Sequence, residues 1–127
     1  MSGLLAQCVS VLAMTLAASA QPEDQSGIGY PSVASALEAM RVKSGVNVSV
    51  QSGWTVVEDA TTMTIWSFTP PAHPAHPTAV RRAVIQRGDD IFVEMKIKCE
   101  STKPACDRLV ADFQELNNRM RETLRRR

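Results

Sequence analysis

Basic residues are missing from the start of the chain: no Lys or Arg occurs before Arg41, and residues 1–20 carry no charged side chain at all. Histidine occurs only twice, at His73 and His76, both in one proline-rich stretch. A serine-histidine-carboxylate site would have to draw its base from that stretch, a poor place for a positioned proton acceptor. No nucleophile elbow, phosphate-binding glycine loop, dinucleotide fingerprint or H-E-x-x-H helix is present. Charge of one sign is not in excess either. Fourteen Lys and Arg face 13 Asp and Glu, a net charge of +1, so no global field favours nucleic acid or anionic lipid. Aromatic residues are scarce, two Trp, one Tyr and three Phe. None lies among Arg119, Arg121, Arg125, Arg126 and Arg127, which therefore read as a solvated helix end rather than a nucleic-acid surface. After residue 20 no apolar run is long enough to cross a bilayer.

The uncharged start is itself a signal. Residues 4–20, LLAQCVSVLAMTLAASA, are apolar and small and end in Ala18-Ser19-Ala20. That is the pattern of a signal peptide cleaved after Ala20. Leu5-Ala6-Gln7-Cys8 loosely resembles a lipidation box, but Gln7 fits it poorly, so Cys8 is read as a small apolar residue of the signal. The expected organisation is a signal peptide over residues 1–20, a flexible lead-in over 21–29, and one domain over 30–127. The expected address is the periplasm or the exterior of a Gram-negative cell. Export leaves two cysteines, Cys99 and Cys106, and an even count in an oxidising compartment argues for a disulfide. Their spacing is not C-x-x-C, so a redox role is not indicated.

Periodicity then outlines the domain. Val33, Ala36, Leu37 and Met40 recur at helical spacing behind Pro31-Ser32. Val46, Val48 and Val50 alternate with polar residues and predict a half-buried strand. Residues 54–58 and 62–69 predict two more strands, the second rich in β-branched and aromatic residues. Residues 79–87 and 91–99 predict a hairpin around Arg87-Gly88-Asp89-Asp90. In its second strand Ile91, Val93, Met95, Ile97 and Cys99 alternate strictly with polar or exposed positions. Thr102 or Ser101 caps a final helix with Pro104 in its first turn. Cys106, Leu109, Val110, Phe113, Leu116, Met120 and Leu124 mark its apolar face. The expected fold is α+β: an antiparallel sheet of four or five short strands flanked by an N-terminal helix and a longer C-terminal helix, in two layers with the helices on one face.

Three features could carry function. His73-Pro-Ala-His76-Pro lies in a segment with four prolines in residues 70–77, expected to be an extended surface loop. In a polyproline helix the two imidazoles share a face but stand ~9 Å apart, too far for one metal ion. His73 and His76 are therefore weak metal candidates and better recognition candidates, since a stiff loop loses little entropy on binding. Trp54, Trp66 and Phe68 are the second feature, either core or an aromatic platform beside the loop, with the two tryptophans able to pair across the sheet. The third is the disulfide pair, which would staple the last helix to the sheet.

The segments Gly53-Trp-Thr-Val-Val57, Ile65-Trp-Ser-Phe-Thr-Pro70, His73-Pro-Ala-His-Pro77 and Cys106-Asp-Arg-Leu-Val110 resemble a group of small exported proteobacterial proteins of unassigned function. The resemblance implies export and this domain, and supplies no site residues. A J-domain chaperone label attached to some of that group is not implied here. A J-domain is helical and uses His-Pro-Asp, whereas His73-Pro74 is followed by Ala75 between strands. The functional expectation is a small periplasmic or secreted binding module recognising a protein or envelope component, with inhibitor or immunity proteins as a subclass compatible with this size. No cofactor, nucleic acid or transmembrane segment after signal removal is implied. The alternatives are a metal-handling protein using His73 and His76, and a small hydrolase.

Overall fold

The computed structural model describes Gly3 and residues 27–127. The expected signal peptide with Cys8 and Ala20, and most of the lead-in, lie outside the described residues. The fold is α+β. Helix α1 (Val33–Val42) precedes five strands, β1 (Asn47–Gln51), β2 (Trp54–Asp59), β3 (Thr64–Phe68), β4 (Thr78–Arg87) and β5 (Asp90–Cys99), and helix α2 (Lys103–Arg125) follows them. The strands form one antiparallel meander in sequence order. Among the described residues no helix is long and apolar enough to cross a membrane.

Local chemistry explains each boundary. Ser32 caps α1 by accepting from Ser35 N, and Ser35 Oγ closes the reciprocal bond. Glu100, just past β5, accepts from Val33 N at 3.1 Å and sets a carboxylate at the positive end of α1. Ser52 and Gly53 both have positive φ, 50° and 83°. They form the two-residue turn whose twist suits the β1–β2 hairpin. Thr102 caps α2, with Pro104 in its first turn. At its far end Arg121 Nε donates to Ile91 O and Arg125 pairs with Asp90 at 2.7 Å, fastening α2 to the β4–β5 hairpin.

The two helices do not share a face, so the domain has three layers rather than two. Strand register shows why. Val57 pairs with Trp66, and Phe68 with Ala79. These four, with Ile28, Val33, Ala36 and Met40, form the core beneath α1. The alternate residues point the other way. Val80 packs with Leu109, Phe113 and Ala75 beneath α2, joined by Trp54, Met95, Ile97 and Cys99. Central strands β3 and β4 are therefore apolar on both sides. Two other expectations change. Ile28 is only 3% exposed in the α1-side core, so the packed chain begins before Tyr30 and the lead-in is not wholly free. Strand β1 is not half-buried through its valines: Val50 is 72% exposed, because β1 is an edge strand that α1 does not reach.

Asp59, at the end of β2, is the buried carboxylate on the α1 side. It accepts from Lys43 Nζ at 2.7 Å, from Thr61 Oγ1 at 2.6 Å and from Thr61 N at 3.2 Å. The Lys43 and Thr61 bonds hold its pKa well below the usual carboxylate range. A depressed folded-state pKa gives stability that is present above the unfolded value and is lost as pH falls toward the folded one. Thermal melts taken between about pH 5 and pH 2 should therefore fall less steeply for Asp59→Asn than for wild type. Parallel slopes would show that the carboxylate contributes no linkage.

Candidate functional site

The proline-rich segment between β3 and β4 is not an extended loop. It folds into two successive turns, in which His73 N donates to Pro70 O and His76 N to His73 O, both at 3.0 Å. Its centre is buried: Ala75 is fully inaccessible and belongs to the α2-side core. Thr78 Oγ1 donates to Ala75 O, Ser101 Oγ donates to Pro74 O, and Glu100 N donates to Pro77 O. The segment, with a cis His76-Pro77 bond, is thus a plug closing one end of the sheet.

Each imidazole is tied separately. His73 Nδ1 accepts from Ala75 N, and its ring meets Trp54 edge-on at 5.1 Å. His76 Nδ1 lies 3.0 Å from Thr69 Oγ1 and 3.2 Å from the Thr69 carbonyl. A protonated Nδ1 satisfies the carbonyl. The two rings are held by different partners, and among the described residues no three of His, Cys, Asp or Glu group as metal ligands. Cys99 and Cys106 form the disulfide, with Cα atoms 5.8 Å apart. It joins the end of β5 to the first turn of α2, next to the plug.

The aromatic platform does not form as expected. Trp66 and Phe68 are 4% and 2% exposed, stacked on each other at 5.9 Å, with Tyr30 edge-on to Trp66. They are core. Trp54 has the opposite strand parity and lies on the α2 side, so the two tryptophans do not pair. Of the sequence candidates, the structure brings together Trp54 with His73 on the α2 side, Trp66 with Phe68 in the α1-side core, and Cys99 with Cys106 in the disulfide.

Trp54 leads to a site that the sequence reading missed. Helix α2 covers β4 and β5 but only part of β1–β3. Beside it runs a groove of about 440 Å³, walled by Phe113 and Leu116 of α2 and by Trp54, Val56, Ile65 and Ser67 of the sheet. A second hollow shares Glu58 and Ile65 with it and continues past Val84 and Met63. Val56, Ile65 and Ser67 share one face with Arg82, which pairs with Ile65 across β3–β4.

Arg82 is the unusual residue. It lines the groove yet is only 7% exposed. Its guanidinium carbon sits 5.1 Å from the Phe113 ring centroid. Nη1 reaches Asn117 Oδ1 at a long 3.5 Å, and Nε has no hydrogen-bond partner. No carboxylate pairs with it among the described residues. Burial pushes its pKa down from the ordinary guanidinium value. A buried, unpaired cation costs folding energy unless something compensates. Asn117, buried in the apolar stripe of α2 and donating to Met95 Sδ, is its neighbour. Both residues left traces in the sequence. Arg82 stands at the i±2 positions between Val80 and Val84, and Asn117 continues the i+4 series Leu109, Phe113. Comparison with family models, curated proteins and solved structures finds nothing that matches this chain.

Proposed function

We propose that this chain is a small exported binding module whose ligand site is the groove between α2 and strands β1–β3. The observation that carries the reading is Arg82: a nearly buried cation with no paired carboxylate among the described residues, in a mostly apolar, half-covered groove. Ligand sites are concave, mostly apolar, and contain a few convergent polar groups. Buried polar groups that cost stability are found where function requires them. The paired cysteines support export, since disulfides persist in oxidising compartments. The proline-rich plug then has a supporting role: through His73 it holds Trp54, one wall of the groove. Nothing in the geometry favours metal handling by His73 and His76 or a hydrolytic centre.

The test uses Nile red, a neutral dye that reports apolar sites without testing for charge. The protein should take it up saturably at one site. Val56→Arg places a long cationic chain across the groove at a half-buried position. It should weaken uptake by about tenfold or more, the scale of losing one well-packed apolar contact, while circular dichroism and melting stay close to wild type. Absence of saturable uptake, or equal uptake by a folded Val56→Arg variant, would overturn the reading.

A further inference from the structure

We propose that the groove binds the carboxylate of a small amphipathic acid, a medium-chain fatty acid, with Arg82 and Ser67 holding the headgroup and the apolar hollow holding the chain. The proposal rests on the groove reading above and names the ligand class of that site.

The headgroup follows from what Arg82 and Ser67 lack. A guanidinium presents its Nε and Nη2 edge as a fork that matches a carboxylate bidentately. In Arg82 Nε is enclosed and has no protein partner, and Asn117 at Nη1 is the one hydrogen-bond partner of the side chain among the described residues, so a carboxylate entering the groove meets Nη2 and takes up Nε as the side chain turns toward it. Ser67 is 5% exposed and lines the same groove. It pairs with Val80, two residues from Arg82 on β4, so the two side chains are diagonal neighbours on one face. Its hydroxyl makes no hydrogen bond among the described residues. One carboxylate can accept from both groups.

The size of the ligand follows from burial. A charge only 7% exposed cannot be met by a flat protein surface; the anion must enter the groove. The chain follows from what lies beyond. Past Arg82 the lining is Ile65, Val84, Met63 and Val46, and Met63 is 58% exposed at the far mouth. Ser67 and Met63 are four positions apart along β3 and the turn before it, about 13 Å at 3.3 Å per residue. This lining has two anionic side chains: Asp59, which is held by Lys43 and Thr61, and Glu58. Glu58 is exposed, and a strand separates it from Arg82, as Glu58 pairs with Ile65 and Ile65 with Arg82.

Calorimetric titration with decanoate and with decanol, below their micelle concentrations, tests the proposal. Decanoate should bind at one site, and decanol about ten- to a hundred-fold more weakly, the worth of hydrogen bonds to a charged group. Arg82→Met should reduce decanoate to the level of decanol and raise the melting temperature of the unliganded protein, because an unpaired buried charge is replaced by an apolar chain. Arg82→Lys keeps the charge without the fork and should lose most of the decanoate preference. Equal binding of decanoate and decanol by the wild type, or an unchanged Arg82→Met affinity, overturns the proposal. Tighter binding of an apolar dipeptide with a free carboxylate than of decanoate also overturns it, since the occupant is then a chain terminus. Nile red uptake without decanoate binding defeats this inference alone; failure of both defeats the groove reading too.

Discussion

Trp66→Ala should remove about 3–5 kcal/mol of stability, the range for deleting a large aromatic side chain from a core. Trp66 is 4% exposed, stacked on Phe68 and met edge-on by Tyr30. Its ring lies where β2, β3 and α1 converge. The cavity left behind is bordered by Val57, which is fully buried, and by α1 through Ala36 and Met40. None of these can move in without dragging backbone with it. A domain of this size has about 5–15 kcal/mol to lose, so the variant should melt far below wild type or populate unfolded chain at ambient temperature. Urea denaturation measures the loss. Had Trp66 belonged to a surface platform, the change would stay within about 0.5 kcal/mol, and a midpoint that does not move would refute the core assignment. Trp54→Ala should be milder, because Trp54 is half-buried and bordered by the groove. The two tryptophans are thus separated by one experiment, although they lie on neighbouring strands.

That separation was written in the sequence as parity. Trp54 and Trp66 are joined by a register in which Trp54 pairs with Gln51 and Trp66 with Val57. The register depends on how many residues the β2–β3 turn consumes. Residues 60–63 form it, with Met63 at a φ of 51°, a conformation no sequence rule demands of methionine. The third strand accordingly starts at Thr64 and not at Thr62. Strand β5 is legible in the sequence because its alternation is strict and its hairpin turn is short. Strand β1 shows the limit of the same rule. Its valines alternate as cleanly, but alternation states only that one face differs from the other. Whether a helix covers that face depends on where α1 lies, and α1 packs over Val57, Trp66 and Phe68 and leaves Val50 exposed.

The layering had a signal too. Ile65 and Trp66, or Ala79 and Val80, are adjacent apolar residues in strands, so both faces needed cover. Two helices that flank a meander can supply it only by dividing between the faces. The candidate site was less readable. In the sequence Arg82 is one of two adjacent arginines, Arg81 and Arg82, and only tertiary packing distinguishes them. Arg81 shares the α1-side face with Trp66, whereas Arg82 is pressed between β3 and Phe113. His73 and His76 stand out in the sequence only by rarity and proline context. Their rings instead serve to hold a plug in place.

The disulfide ties that plug to the groove, and its removal is the last large effect expected. Cys99 and Cys106 are seven positions apart, and opening so short a loop should cost roughly 2–3 kcal/mol in the chain-entropy model. A Cys99→Ser/Cys106→Ser variant, compared with wild type in urea, reads that loss. The location of the bond predicts more than its size. Ala75, Thr78 and Cys99 pack at one corner, and the Glu100 and Ser101 contacts to Pro77 and Pro74 lie just beyond the bridge. Without the bridge these contacts depend on a strand end that is free to fray. Amide exchange should therefore speed up at residues 72–76 more than in β2–β3. Because His73 braces Trp54, Nile red affinity should fall with it, although no groove residue has changed. A stability loss with unaltered exchange in the plug would mean that its own turns hold it, and that the bridge acts on the unfolded chain alone.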